Sequence, residues 1–224
     1  MVIRFKYNAC LRETMKLDDE ALFITVEGID ASGTTSITNM IASDHDDIVQ
    51  TQEPTETSFG EMTRDVISSE SNTHAFTDFF FFMGDRIHNV KNIITPALET
   101  DTSVVCDRYV DSTYAYQPIV LADESKFNEA RSFGYTKQIN EAITVEPDIT
   151  LLLDVSPMTA QERVSADEID KYEESIEFQK RVRGRYNRLC SRTERMHMID
   201  ASQSLESVYD DCLSVIETFI KERE

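Results

Sequence analysis

Short apolar runs alternate with longer helix-forming segments along almost the whole chain, and this alternation restricts the fold more than any single residue does. The apolar runs are Leu22–Val26, Ile48–Thr51, Ser103–Cys106, Asp148–Asp154 and Met196–Ile199. Between them lie segments that read as helices: from the turn after Gly28 to about Ser43, Gly60–Ser69, Thr77–Glu99 with a small break at Pro96, Phe127–Val145, a helix starting near Pro157, Phe178–Cys190 and Leu205–Glu224. Strands that are apolar throughout are buried on both faces. Separated by helices, they predict a three-layer α/β fold: a parallel sheet of about five strands with helices on both sides. Ligands of such folds bind beyond the carboxyl ends of the strands, so the residues just after each strand are the ones to read for chemistry. Residues 1–19 mix Arg4, Lys6, Arg12 and Lys16 with scattered apolar residues and lack the continuous apolar stretch of a secretory signal. They read as an extension outside one domain spanning 20–224.

Composition narrows the partners. The 224 residues carry 42 acidic and 22 basic side chains, a formal net charge of −20, and 40% of the chain is apolar. A globular chain this acidic is a poor general binder of nucleic-acid polymers or anionic membranes, both of which ask for a basic face. Concentrated salt shortens the range of like-charge repulsion, so the surplus of carboxylates also fits a surface adapted to salt. The cysteines Cys10, Cys106, Cys190 and Cys212 lie far apart without a C-x-x-C pair and read as reduced, in a cytoplasmic setting. No apolar run is long enough to span a membrane. His45, His74, His88 and His197 show no ligand spacing with one another or with the cysteines.

The first strand runs into Gly28-Ile29-Asp30-Ala31-Ser32-Gly33-Thr34-Thr35-Ser36. The spacing is that of a phosphate-binding loop, G-x-x-x-x-G-K-S/T, with Thr34 where the lysine belongs. Glycines let such a backbone wrap a phosphate, and the N–H groups of the loop and helix N-terminus cradle its oxygens. Taken alone, the degenerate loop reads equally well as a plain glycine-containing strand–helix turn.

Further blocks carry a resemblance. Val105-Cys-Asp-Arg-Tyr-Val-Asp-Ser-Thr-Tyr-Ala-Tyr-Gln117 closely resembles the D-R-Y-x-x-S-x-x-A-Y-Q signature of thymidylate kinases. Thr51-Gln-Glu-Pro54 resembles their T-R-E-P loop, Phe80-Phe-Phe-Met-Gly-Asp-Arg86 their L-L-F-A-A-D-R helix, and Pro147–Val155 their P-D-L-T-x-x-L-D-V strand. Asp170–Glu173 with Lys180–Tyr186 resembles the lid and the helix after it, and Ile199-Asp-Ala201 the I-D-A near the family's C-terminus. The blocks run in family order from about Leu22 to Ile220 and look most like the salt-adapted archaeal branch.

The resemblance implies a P-loop kinase fold with a short lid at about 161–173, transfer of the ATP γ-phosphoryl group to dTMP with Mg2+, and a homodimer. It implies ATP-phosphate binding by Gly28, Ile29, Asp30, Ala31, Ser32, Gly33, Thr34, Thr35 and Ser36, and metal binding by Thr35, Asp107 and Glu53. Asp30 and Arg108 are then expected near the acceptor and transferring phosphates, with Arg163 and Lys171 as the cations of the lid. The resemblance also implies substrate binding by Glu53, near Mg2+ or its waters, and by Arg108, with Phe82 stacking on the thymine, Arg86 reaching the base's O4 edge, Ser112 and Gln117 bonding the base, and Tyr116 packing against the sugar.

Two positions depart from the pattern. Thr34 replaces the loop lysine, and Gln52 replaces the arginine that binds the dTMP phosphate in relatives. Each removes a positive charge aimed at a phosphate, at a cost of about 1.5–3 kcal/mol per charged hydrogen bond. Two other readings therefore stay open at this point: a nucleotide-binding paralogue that has lost most catalysis, and a kinase of another nucleotide.

Overall fold

The computed structural model describes residues 21–45, 47–67, 73–164 and 169–223. Its sheet holds β1 (Phe23–Gly28), β2 (Ile48–Gln52), β3 (Ser103–Asp107), β4 (Ile149–Asp154) and β5 (Met196–Asp200), all parallel, in the order β2-β3-β1-β4-β5. The expected fold class holds. Every residue of β1 is buried, so its side chains serve both faces alternately. Ile24 and Val26 join Val105, Leu151 and Leu153 in a core on one side, while Phe23 joins Val104, Cys106 and Tyr109 on the other. The polar members of these central strands find partners: Thr25 and Thr150 are in register and share a hydrogen bond of 2.7 Å.

On the face of Ile24 and Val26, α1 (Thr34–Asp44) and α9 (Leu205–Arg223) pack against the sheet and each other through Ile37, Ile41, Cys212 and Ile216. On the opposite side lie α2 (Ser58–Ile67), α3 (Ala75–Asn89), α4 (Thr95–Leu98), α5 (Val110–Glu124), α6 (Glu129–Glu141) and α8 (Ile169–Cys190), the last packed against α5 with Tyr186 reaching Glu27 of β1. A five-residue π-helical turn, Val90–Ile94, joins α3 to α4, and Pro96 sits in the first turn of α4. A proline there sacrifices no intrahelical donor, so the break expected near Pro96 is a change of helical winding rather than a loop. Short helix α7 (Pro157–Gln161) is capped by the Ser156 hydroxyl, which accepts from the Thr159 N–H at 3.0 Å.

Two elements differ from the sequence expectation. Helix α5 was not anticipated: it contains Pro118 and is buried on several sides, so it shows no one-sided apolar stripe. Helix α8 begins at Ile169 rather than Phe178, so residues 169–173 of the expected lid are helical backbone. Among the described residues, Cys106, Cys190 and Cys212 are free, and no helix is long and apolar enough to cross a membrane.

Candidate active site

The sheet order places β1 between β3 and β4, so the turns leaving β1 and β3 meet at its carboxyl edge. Gly28 closes β1 where a Cβ would come within 2.9 Å of the Leu153 carbonyl oxygen and 2.4 Å of the Ser32 hydroxyl. Gly33 caps α1 with φ +104°. Two non-glycine residues at the same edge also take left-handed backbone, Ala31 at φ 59° and Arg108 at φ 62°. Such conformations cost energy and concentrate at functional sites.

Around this turn the side chains form three linked groups. In the first, Asp30 Oδ1 accepts from Arg108 (3.0 Å) and from the Tyr116 hydroxyl (3.0 Å), and its Oδ2 accepts from Gln179 on α8 (2.6 Å). Arg108 also donates to the Gly28 carbonyl at 2.9 Å and lies over the Tyr116 ring. A carboxylate and a guanidinium thus stand together where the loop turns. Arg163 braces the loop from outside, donating to the carbonyls of Ala31 (3.4 Å), Ser32 (3.2 Å) and Ala201 (2.5 Å).

In the second, the exposed Thr35 donates its hydroxyl proton to Asp107 Oδ2 at 2.5 Å, while Asp107 Oδ1 is buried without a partner. A hydroxyl beside a half-satisfied carboxylate is the oxygen donor set a hard divalent cation takes. Among the described residues no group of three His, Cys, Asp or Glu could hold a metal by itself, so such a cation would need further oxygens from its substrate or water.

In the third, Arg86 is 2% exposed and spends all five of its donors on protein acceptors. Glu53 accepts at 2.8 and 2.5 Å, Thr113 at 2.7 Å, Asn140 at 2.6 Å and the Tyr109 carbonyl at 3.0 Å. Asn89 donates to the other Glu53 oxygen at 3.3 Å.

The comparisons with known proteins bear on this assembly. A family model described as thymidylate kinase matches residues 26–212. The chain belongs to the thymidylate kinase family. A probable thymidylate kinase of Halobacterium salinarum is 37% identical over 194 residues, covering 85% of this chain and 92% of that protein. A thymidylate kinase of Ligilactobacillus salivarius is 34% identical, covering 90% of this chain and all of that one. A crystal structure of thymidylate kinase from Ehrlichia chaffeensis is similar at TM-score 0.68 and 26% identity, over 88% of this chain and 99% of that one.

All the expected site residues except Lys171 have described side chains. Gly28 through Ser36 form the turn just described, with Thr34 buried. Asp30, Arg108 and Tyr116 come together, as do Thr35 and Asp107; Glu53 is joined to Arg86 and Asn89 rather than to that pair. Ser112 gives its hydroxyl to Glu27 at 2.6 Å and contacts the Tyr186 hydroxyl at 2.8 Å. Gln117 is buried with its Oε1 unpartnered, an acceptor awaiting a donor. Phe82 packs partly buried at the edge of the Phe79–Met83 cluster, and Phe80 is exposed. Lys171 falls where side chains lie outside the described residues. Arg181, Arg183 and Arg185 are structural ties: Arg181 pairs with Asp123 and Glu129, Arg183 grips both oxygens of Asp154 at 2.7 Å, and Arg185 donates to the Tyr114 carbonyl.

Three residues escaped the sequence reading. Glu27, fully buried at the end of β1, accepts from the Tyr109 N–H (2.8 Å), Ser112 and the Tyr186 hydroxyl (2.9 Å). Burial, with the nearby Asp111 charge, pushes its pKa up to about 7. Gln179 is tied to Asp30. Arg64 stands beside the departed arginine position: its guanidinium donates to the Pro54 carbonyl at 2.9 Å and approaches Glu56 at 3.7 Å, and Gln52 donates to the same two groups at 3.3 and 2.8 Å. The sequence signal for Glu27 was a lone charge inside an apolar strand.

Proposed function

We propose that this protein transfers the γ-phosphoryl group of ATP to dTMP, forming dTDP for dTTP synthesis. The observation that carries the reading is the meeting of Asp30, Arg108 and Tyr116 beside the Gly28–Thr35 turn, in a chain of this family. Phosphoryl transfer asks the protein for position and charge neutralisation rather than covalent chemistry. The N–H groups of the turn and of the first turn of α1 receive the ATP phosphates, with Ser36 and Thr34 adding hydroxyl donors. Thr35 and Asp107 are the residues suited to hold Mg2+, which when bound neutralises charge on the phosphate oxygens. Arg108, poised against Asp30, swings its fork of donors onto the phosphates as the substrates enter. Asp30 holds Arg108 in reserve and, with Gln179, ties the site to α8.

On the acceptor side, Phe82 offers a face for the thymine, Gln117 the unpaired polar group, and Tyr116 a wall against the sugar. Arg86 shapes the pocket through Glu53, and touches the base only by releasing one of its present acceptors. Arg64 supplies the positive charge that Gln52 lacks, for the dTMP phosphate. Lys171 and Arg163 are the cations that lid closure brings over the phosphates. The exposed Phe59, Met62 and Ile67 of α2 and Phe80 and Ile87 of α3 make an apolar face on two packed helices, which supports a homodimer. The working place is the cytoplasm.

The test is product formation from ATP and dTMP with Mg2+ in a KCl series. Time-dependent dTDP, abolished by chelation, is the expected result; dTMP binding without dTDP at every salt concentration would favour a binding paralogue.

A further inference from the structure

A cavity of about 870 Å3 opens at the amino-terminal edge of the sheet, beside Pro147 before β4 and Thr193 before β5. The phosphate-binding turn lies at the other, carboxyl edge, so this is a separate space. Its volume is that of a small-molecule site. Tyr114 of α5 and Phe133 of α6, in edge contact at 5.6 Å, give it an aromatic wall.

Its charges do not cancel. The acidic lining residues are already engaged. Asp111 accepts from Arg195 at 2.7 and 3.1 Å, and Glu129 from Arg185 at 3.3 Å. Glu141 pairs with Lys137 at 3.6 Å, and Glu146 faces Arg195 at 3.6 Å. Arg188 and Arg192 are left over. Every other described arginine has a side-chain hydrogen bond, ion pair or ring contact; these two have none. Deeper in, the buried Nε of Arg195 has no hydrogen-bond acceptor. Burial, helped by the charges of Arg188 and Arg181, also holds the Arg185 guanidinium below its usual range. In a chain with 42 acids for 22 bases, two unmatched guanidinium groups on one rim leave room for an anion from outside. Their planar forks match phosphate oxygens.

We propose that this cavity binds an aromatic polyanion of nucleotide size, with its phosphates on Arg188 and Arg192 and its ring against Tyr114 and Phe133. The cavity is backed by α5 and α8, whose other faces carry Tyr116 and Gln179 to the active site, so an occupant there touches the two helices that frame catalysis.

The experiment is calorimetric titration with dTTP after the active site has been filled with an adenosine–thymidine pentaphosphate bisubstrate analogue. The analogue's own titration reports on the kinase reading, and the dTTP titration that follows reports on the cavity. The wild-type protein should show a further binding event that R188E/R192E weakens tenfold or more, while analogue binding and melting temperature stay unchanged. Tripolyphosphate, lacking the ring, should bind at least tenfold more weakly than dTTP. No further event, or one indifferent to R188E/R192E, would overturn the site. Equal binding of tripolyphosphate would overturn the aromatic part. R188Q/R192Q, which removes charge without reversing it, should give an intermediate loss; an unchanged affinity in that variant counts against the proposal.

Discussion

Thr34 occupies the place from which a lysine would reach the ATP phosphates, and it is buried with only a hydroxyl to offer. A lost charged hydrogen bond is worth about 1.5–3 kcal/mol, roughly ten- to a hundredfold in rate. Thr34→Lys should therefore raise kcat/KM for ATP by about tenfold or more, measured by steady-state kinetics; an unchanged value would mean that another group already supplies the charge. At Gln52 that other group is proposed to be Arg64, which bonds the same Pro54 carbonyl. Arg64→Ala should raise KM for dTMP about tenfold while leaving KM for ATP nearly unchanged; equal effects on both would remove Arg64 from the acceptor side. Glu27 makes a third residue-scale claim. Its carboxyl is lifted from the usual carboxylate range to about 7 by burial, so between those values the folded chain holds a proton that the unfolded chain has released. Stability from this group is then full at low pH and is lost as pH rises through about 7. Melting temperature followed from pH 5 to 8 should fall through this term, and Glu27→Gln should flatten the slope. Glu27 was not legible in the sequence because its partners lie 82, 85 and 159 residues away, whereas the phosphate-binding turn and the Asp107–Arg108 block are contiguous runs.

Helix α8 is the element that joins the active site to the rest of the fold. Gln179 reaches Asp30, Arg183 grips Asp154 at the end of β4, and Tyr186 reaches Glu27. Arg181, Arg183 and Arg185 lie close together in the sequence, and they are spent on Asp123, Asp154, Glu129 and the Tyr114 carbonyl. Spacing revealed that they share a helix, and only the fold revealed which carboxylates face them. Tyr186→Phe removes a buried donor to Glu27 and should cost about 1–3 kcal/mol in urea denaturation; a change below about 0.5 kcal/mol would mean that Ser112 and the Tyr109 N–H satisfy the carboxylate without it. Helix α5 teaches the complementary point. Pro118 and burial on several sides erase the one-sided stripe by which helices are recognised, so its candidate site residues were named from the sequence while the helix itself was not. The three central strands were legible because parallel strands buried on both faces are largely apolar, as β1, β3 and β4 are.

At the scale of the whole molecule, a net charge of −20 surrounds a site that must accept two polyanions. Salt screens that field over a few Å at molar concentration. Activity and melting temperature should both rise with KCl; a maximum below about 0.1 M, where the Debye length is still about 10 Å, would contradict a surface adapted to salt. The apolar face of α2 and α3 adds an assembly claim: Phe59→Glu should convert a dimer to a monomer in sedimentation velocity, and a wild-type monomer would refute it. The central claim is that the thinned cations still support phosphoryl transfer to thymidylate. Its most direct test is kcat/KM for dTMP beside dUMP, dCMP and dGMP, with ATP and Mg2+ at high KCl. Turnover with dTMP as the preferred acceptor is expected. Saturable dTMP binding without dTDP formation, or a preference for another acceptor, would contradict it.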